Sequence, residues 1–312
     1  MNGIRYFIIG FLLVALVNET EAGIGQTSGL FLQIAPDARS TAMGETGVAH
    51  AQGATIPAWN PGNLGFLVRS SFSASYFKWL PYLADDLYFL NLSYVLPVDG
   101  LGTFGLSLPY LSLGEQKNVN AAGEILGSFK SSDIAIYLSY GTLLDEKIGI
   151  GANIKLIRTT LSNVDKQAGT SFAIDIGIKG KISSRFSIAG AIQNLGPKIS
   201  FTNSDSADHL SRNLKIGAEF YAIKLESSQF LLAVDLNRLL LHNNGNILNV
   251  GMEYWYKGFI ALRTGYIYDP EGDIKTPTFG GGLTWQKYCL DFSYTTASTL
   301  QNITKFTLAI NF

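Results

Sequence analysis

Charge is what this sequence has little of. Only 15% of its 312 residues are Asp, Glu, Lys or Arg, against about 25% in an ordinary soluble domain. The formal net charge is −1, which leaves no basic face for a phosphate backbone and argues against nucleic acid as a partner. Cysteine is almost missing, and the single Cys289 excludes an intramolecular disulfide framework. After residue 22 no apolar run approaches the roughly 20 residues that a membrane helix needs. Three histidines, His50, His209 and His242, fall in the N-terminal segment and two long connections, without a second ligand at metal spacing. None sits on a strand, where an outer-membrane hydrolase would carry its serine–histidine pair. NAAGEILG (120–127) and FGGGLT (279–284) lack the strand–loop–helix context and the basic residue of a phosphate loop. The glycines 280–282 mark a kink or a close approach within a strand instead. Nothing supports an enzyme, a metal or a cofactor.

What is present is apolar and aromatic: 47% hydrophobic residues, 33 glycines, 15 tyrosines and 19 phenylalanines. The N-terminus reads as an export signal over residues 1–22. Arg5 precedes the apolar run Phe7 to Val17, and Thr20-Glu21-Ala22 puts small residues at the −3 and −1 positions of a cleavage site. As a helix that run spans about 16 Å, well short of a bilayer core of roughly 30 Å, so a membrane anchor is the weaker reading.

From about residue 70 the chain falls into segments of roughly ten residues with period two. DLYFLNLSYVLPV (86–98) puts Tyr88, Leu90, Leu92 and Tyr94 on one face. KIGIGANIKL (147–156) sets Ile148, Ile150, Ala152, Ile154 and Leu156 against Gly149, Gly151, Asn153 and Lys155. The predicted strands lie near 70–80, 86–97, 101–113, 131–142, 146–158, 168–180, 184–194, 211–222, 228–237, 247–256, 258–268, 276–286, 287–296 and 303–312. That makes fourteen, and an even number suits a bacterial barrel with both termini in the periplasm. Tight connections such as PVDG, LLDE and KISS alternate with long polar ones at 114–130, 159–167, 195–210, 238–246 and 269–275. Sorting of loop length by parity is the mark of a transmembrane barrel, not of a soluble sandwich or propeller. The expected fold is therefore all-β: a transmembrane antiparallel barrel over residues 68–312, in the outer membrane of a Gram-negative bacterium.

The inward parity carries Lys155, Lys179, Lys215, Arg263 and Lys305, and also Asp175, Glu219, Asp235, Glu253 and Asp291. Charges facing a lumen must pair or meet water, and the balance of signs does not suit a porin selective for one of them. They describe either a solvated, internally paired lumen or a polar conduit or docking surface for a plug. KFTLAINF ends the chain with Phe306, Leu308, Ile310 and Phe312 on one face. Phe312 resembles the barrel-assembly signal read by the outer-membrane insertion machinery.

One stretch has neither period: MGETGVAHAQGATIPAWNPGNLGF (43–66). Its small residues permit close packing, and Pro57 and Asn60-Pro61 force turns. It lies within SGLFLQIAPDARSTAMGETGVAHAQGATIPAWNPGNLGFL (28–67), which resembles the PorV/PorQ family of outer-membrane proteins and, more remotely, the FadL family of hydrophobic-compound transporters. The resemblance rests on Phe31-Leu32, Ala38-Arg39, Ala42-Met43-Gly44, Gly47-Val48-Ala49 and Trp59-Asn60-Pro61, and in the barrel on AIDIGIKG (173–180), AGAIQNLGPKISF (189–201) and NLKIGAEF (213–220). Gly62-Asn63 stands where these families usually show Ala-Gly. The resemblance implies a fourteen-stranded barrel with residues 23–67 folded in or beneath the lumen as a plug. It also implies two functions. PorV-type members act in type IX secretion, attaching to the translocon and handing on cargo by its C-terminal domains. FadL-type members admit hydrophobic small molecules and release them sideways into the membrane. The loops here are mostly polar, with LLLH (239–242) the one apolar cluster, so the secretion reading leads. The expected partners are then outer-membrane lipid, the barrel-assembly machinery, type IX translocon subunits and cargo, or alternatively a hydrophobic ligand.

Overall fold

Period-two alternation leaves one apolar and one small or polar face on each segment, and only a closed sheet can put the first in lipid and the second inside. The computed structural model describes residues 27–312 apart from 82, 165–166, 203–206, 241–245, 271–273 and 297–301. The expected signal peptide, and Leu241 and His242 of the LLLH cluster, lie outside the described residues.

The chain starts with β1 (Thr27–Ser28) and runs through short helical turns, chiefly Ala38–Ala42, Ile56–Trp59 and Pro61–Phe66. It then enters β2 (Ser71–Lys78), β3 (Leu87–Val98), β4 (Gly102–Val119), β5 (Ile125–Asp145), β6 (Ile148–Ser162), β7 (Gln167–Lys181) and β8 (Phe186–Leu195). Two short strands follow, β9 (Ile199–Ser200) and β10 (Ala207–Leu210). The second run is β11 (Asn213–Lys224), β12 (Ser228–Leu239), β13 (Ile247–Tyr256), β14 (Ile260–Asp269), β15 (Ile274–Trp285), β16 (Tyr288–Thr295) and β17 (Ile303–Asn311).

Fourteen of these, β2 to β8 and β11 to β17, form one closed antiparallel barrel. It closes where β17 pairs with β2, from Phe306↔Tyr76 to Asn311↔Ser71, and where β8 pairs with β11. The strands match the predicted segments, and burial alternates along them: in β7, Ala173 is buried while its neighbours Phe172 and Ile174 are exposed. β9, β10 and β1 form a small separate sheet in which Thr27 pairs with His209 in parallel.

The connection expected at 114–130 is largely strand. β4 and β5 continue as a hairpin, with Glu115 opposite Lys130 and Val119 opposite Ile125, beyond Leu87, the first residue of β3. Both of its faces meet water, so no apolar face reveals it by alternation. Its turn is held by Asn120, whose Oδ1 accepts from the N–H groups of Ala122 and Glu124 at 3.0 and 2.9 Å. The 159–167 connection likewise shortens, because β6 runs to Ser162 and β7 begins at Gln167.

Candidate functional site

The wall's inward face is unusually bare at two places, and the N-terminal segment occupies both. On β13 to β15 the inward residues include Gly251, Gly265 and Gly280, with Gly251 opposite Gly265. A Cβ on Gly265 would lie 2.0 Å from the Gly44 nitrogen, and one on Gly251 would lie 2.4 Å from the Met43 oxygen. Gly44 itself has φ +70° and would push a Cβ to 2.5 Å from the Val250 oxygen, so glycine is required there twice over. Nearly across the barrel, Gly141, Gly151 and Gly177 stand side by side on β5, β6 and β7. Here Pro61 lies against Gly151, and Asn60 Oδ1 lies against Gly177. Gly62 fits the same lane: a Cβ would come within 2.6 Å of the Ile178 backbone.

Local chemistry gives the segment its shape. Asp37 caps the first turn by accepting from the Ser40 N–H at 2.7 Å, and its other oxygen accepts from the Trp59 indole N–H at 2.8 Å. Trp59 is buried, with its ring against Gly47 and the Lys215 ammonium 4.9 Å over its face. Asn60 ties three pieces together, donating to the carbonyls of Val48 and Ile178 and accepting from the Gly62 N–H. Phe31 lies in an apolar cluster with Phe77, Phe89, Leu111, Ile157 and Leu210.

All ten inward charges are buried. Five of them bind the N-terminal segment directly. Glu253 accepts from Arg39 through both oxygens at 2.8 and 2.7 Å. Asp235 Oδ2 accepts from the N–H groups of Gly47 and Val48 at 2.7 and 2.9 Å. Lys179 donates to the Ala49 carbonyl at 2.6 Å, and Lys305 to that of Ala35 at 2.6 Å. Lys215 covers Trp59 as described. The others complete the wall: Arg263 bridges Glu253 at 2.6 Å and Asp291 at 2.7 Å, Lys179 pairs with Glu219 at 2.7 Å, and Lys155 with Asp175 at 2.7 Å.

Arg39, Glu253, Arg263 and Asp291 thus form a charge-balanced chain out of water, which is how buried ions are tolerated. Burial alone would favour loss of the Arg39 proton, but the adjoining Glu253 outweighs it and raises the guanidinium above its ordinary value. Burial, reinforced by the Arg39 cation, pushes His50 down to about 3, so the imidazole is neutral. Phe312 is exposed at the end of the last strand, its N–H donating to the Ser70 carbonyl at 2.9 Å.

Among the described residues, three cavities flank the docked segment. One, of about 550 Å³, lies toward the long-loop end and is lined mainly by apolar side chains, including Phe31, Ile34, Phe77, Trp79, Leu111 and Ile303. Two of about 360 and 400 Å³ flank Gln52 and Phe66 toward the short-turn end. Among the described residues no cluster of His, Cys, Asp and Glu could hold a metal ion.

Of the inward glycines that meet the N-terminal segment, the sequence marks only Gly280, within the close approach at 280–282. Others are present at inward parity in IGIGANI, IDIGIKG, NVGMEY and RTGYI, where period-two analysis registers them only as small residues.

The barrel is similar to solved structures of outer-membrane transporters. The Ralstonia pickettii toluene transporter TbuX matches with a TM-score of 0.60 at 13% identity, over 88% of this chain and 97% of that one. The Pseudomonas putida toluene transporter TodX matches at 0.59 and 14%, over 88% and 96%. A Pseudomonas aeruginosa FadL homologue matches at 0.53 and 9%, over 88% and 98%. At such identities the likeness is one of fold. No curated protein matches the chain. The family model for the type IX secretion system protein PorV matches residues 18–245, taking in the whole plug and the barrel as far as β12. With well over half its length matched, the chain belongs to the PorV family and is an outer-membrane β-barrel.

Proposed function

We propose that this protein is an accessory or substrate-handling component of type IX secretion, presenting a closed barrel in the outer membrane to translocon subunits and to the C-terminal domains of cargo. The observation that carries the reading is the family match, which runs through the plug motif Phe31, Arg39, Met43, Gly44, Trp59, Asn60 and Pro61. The docked plug supports it. A segment tied to the wall by five charged residues and two glycine lanes is built to stay, so the lumen serves as a rigid support and work is done at the rims. Pull-down of the tagged protein from native membranes is expected to recover translocon subunits or cargo. Recovery of neither would sink the reading.

One observation favours a second reading, uptake of hydrophobic small molecules. The cavity of about 550 Å³ near the long loops is lined mainly by apolar side chains and is of ligand size. Organic extraction of the purified protein would then yield a bound fatty acid or hydrocarbon, and a ligand-free extract would count against it.

A further inference from the structure

The cavity of about 360 Å³ at the short-turn end is chemically unlike the others. Four cations line it, Lys179, Lys181, Arg185 and Lys224, with a single carboxylate, Glu219. Glu219 is already bound to Lys179 at 2.7 Å, so the other three positive charges converge without a carboxylate from the lining. Lys181 is close enough to both Lys179 and Lys224 for each to repel its charge. Free surface lysines would disperse, but two of these are steered. Lys181 lies 4.0 Å over the Phe66 ring, and Lys224 lies 4.6 Å over the Tyr221 ring while donating to the Ser184 carbonyl at 2.6 Å. Like charges held together by ring stacking describe a receptor for an anion.

His50, 1% exposed, lines the cavity from the plug side, and its buried imidazole is neutral, so it adds no charge to the four cations. A phosphate group presents several oxygens, each able to accept from a different cation of such a cluster.

We propose that this cavity is a site for a phosphate-bearing anion, seated between the plug and the wall at the periplasmic mouth. Hydrogenphosphate and a phosphoglycerol headgroup share that chemistry. The site does not depend on the secretion reading.

The test uses the full-length protein in nonionic detergent. Binding of radiolabelled inorganic phosphate is followed by equilibrium dialysis at pH 7.5, with chloride holding the ionic strength. In parallel, native mass spectrometry follows lipid retention from nanodiscs containing phosphatidylglycerol. Saturable phosphate binding that excess chloride does not displace is expected for a soluble ligand. Retained phosphatidylglycerol without free-phosphate binding would assign the headgroup as the source. In either case Lys181→Ala/Arg185→Ala/Lys224→Ala should weaken binding at least tenfold, and Lys117→Ala/Lys130→Ala on the far hairpin should not. Heat-modifiable gel mobility reports that each variant is folded. Binding of neither ligand, or an unchanged affinity in the folded triple variant, would overturn the proposal.

Discussion

The two halves of the lumen hold the same plug by different physics. Toward the long loops, Phe31 enters a cluster of Phe77, Phe89, Leu111, Ile157 and Leu210, and a cavity of about 550 Å³ is left beside it. Toward the short turns, Arg39, Glu253, Arg263 and Asp291 form a continuous chain of ion pairs, and Lys179 pairs with Glu219 while holding the Ala49 carbonyl. Apolar packing tolerates a neighbouring void and repacking. Buried ions do not, because each must keep its partner. The turn half is therefore the lock, and the loop half is the part that can yield.

The sharpest way to break that contrast is Glu253→Ala. It leaves the guanidiniums of Arg39 and Arg263 buried without their shared carboxylate, at a cost of about 3–5 kcal/mol. A large drop in the thermal unfolding midpoint is expected, together with new proteolysis within residues 38–60. Arg39→Met/Glu253→Met leaves Arg263 with Asp291 and should cost less than Glu253→Ala alone, a non-additivity that only a charge-locked site gives. On the other side, Phe31→Ala should cost about 3 kcal/mol, the low end for such truncations, because the adjoining cavity lets the site relax. Equal losses for the two halves would remove the distinction.

Gly265→Ala probes the lane that both halves share. Its Cβ would meet the Gly44 nitrogen at 2.0 Å, a contact between two main chains with no flexible end to give way. Overpacking of this kind costs about 1–3 kcal/mol. The expected outcome is a folded barrel with a displaced plug, read as normal heat-modifiable mobility with a protease-sensitive N-terminus.

How much of this was legible depended on which face of the chain carried the signal. The fourteen strands were readable because lipid contact imposes an apolar parity on every one, as in Phe172, Ile174 and Ile176 of β7. The ten inward charges were readable by the same parity, and the alternatives of paired lumen and plug-docking surface both describe part of them. Which charge meets which was not readable. Arg39 and Glu253 lie 214 residues apart, and nothing local records the match. The β4–β5 hairpin was read as a loop because alternation disappears once both faces meet water. Apart from the close approach marked at 280–282, the glycine lanes are not legible, because period-two analysis cannot separate a small residue that merely tapers a wall from one against which another backbone lies.

A smaller effect separates the halves by pH. His50 belongs to the turn half, neutral in place with a pKa of about 3. On a released plug the ring would return to about 6.5. The released form then takes up a proton that the docked form refuses, so docking is at full strength above about pH 6.5 and weakens as the pH falls toward about 3. Between pH 7.5 and 5.5 the loss is about 1.4 kcal/mol. Plug protection from protease should decline over that range and the decline should vanish in His50→Phe. A protection profile flat in pH would mean that His50 stays buried whether or not the plug is seated.

The smallest expected effect on the folded molecule belongs to Phe312, which lies outside the comparison. Its ring is exposed, flanked by the Lys287 ammonium at 5.5 Å, and its backbone hydrogen bond to Ser70 does not depend on the side chain. Phe312→Ala should therefore shift the unfolding midpoint by less than the equivalent of about 1 kcal/mol. If the terminal aromatic is read during insertion, the same substitution lowers the amount of barrel recovered from the outer membrane several-fold. Removing the whole of β17 cannot make this distinction, because it opens the barrel at its pairing with β2. A Phe312→Ala variant that accumulates normally would show that the residue is only the last of an ordinary strand. One that is scarce yet as stable as the parent, once inserted, would place its role in assembly and leave the plug, not the terminus, as the feature that holds the finished barrel together.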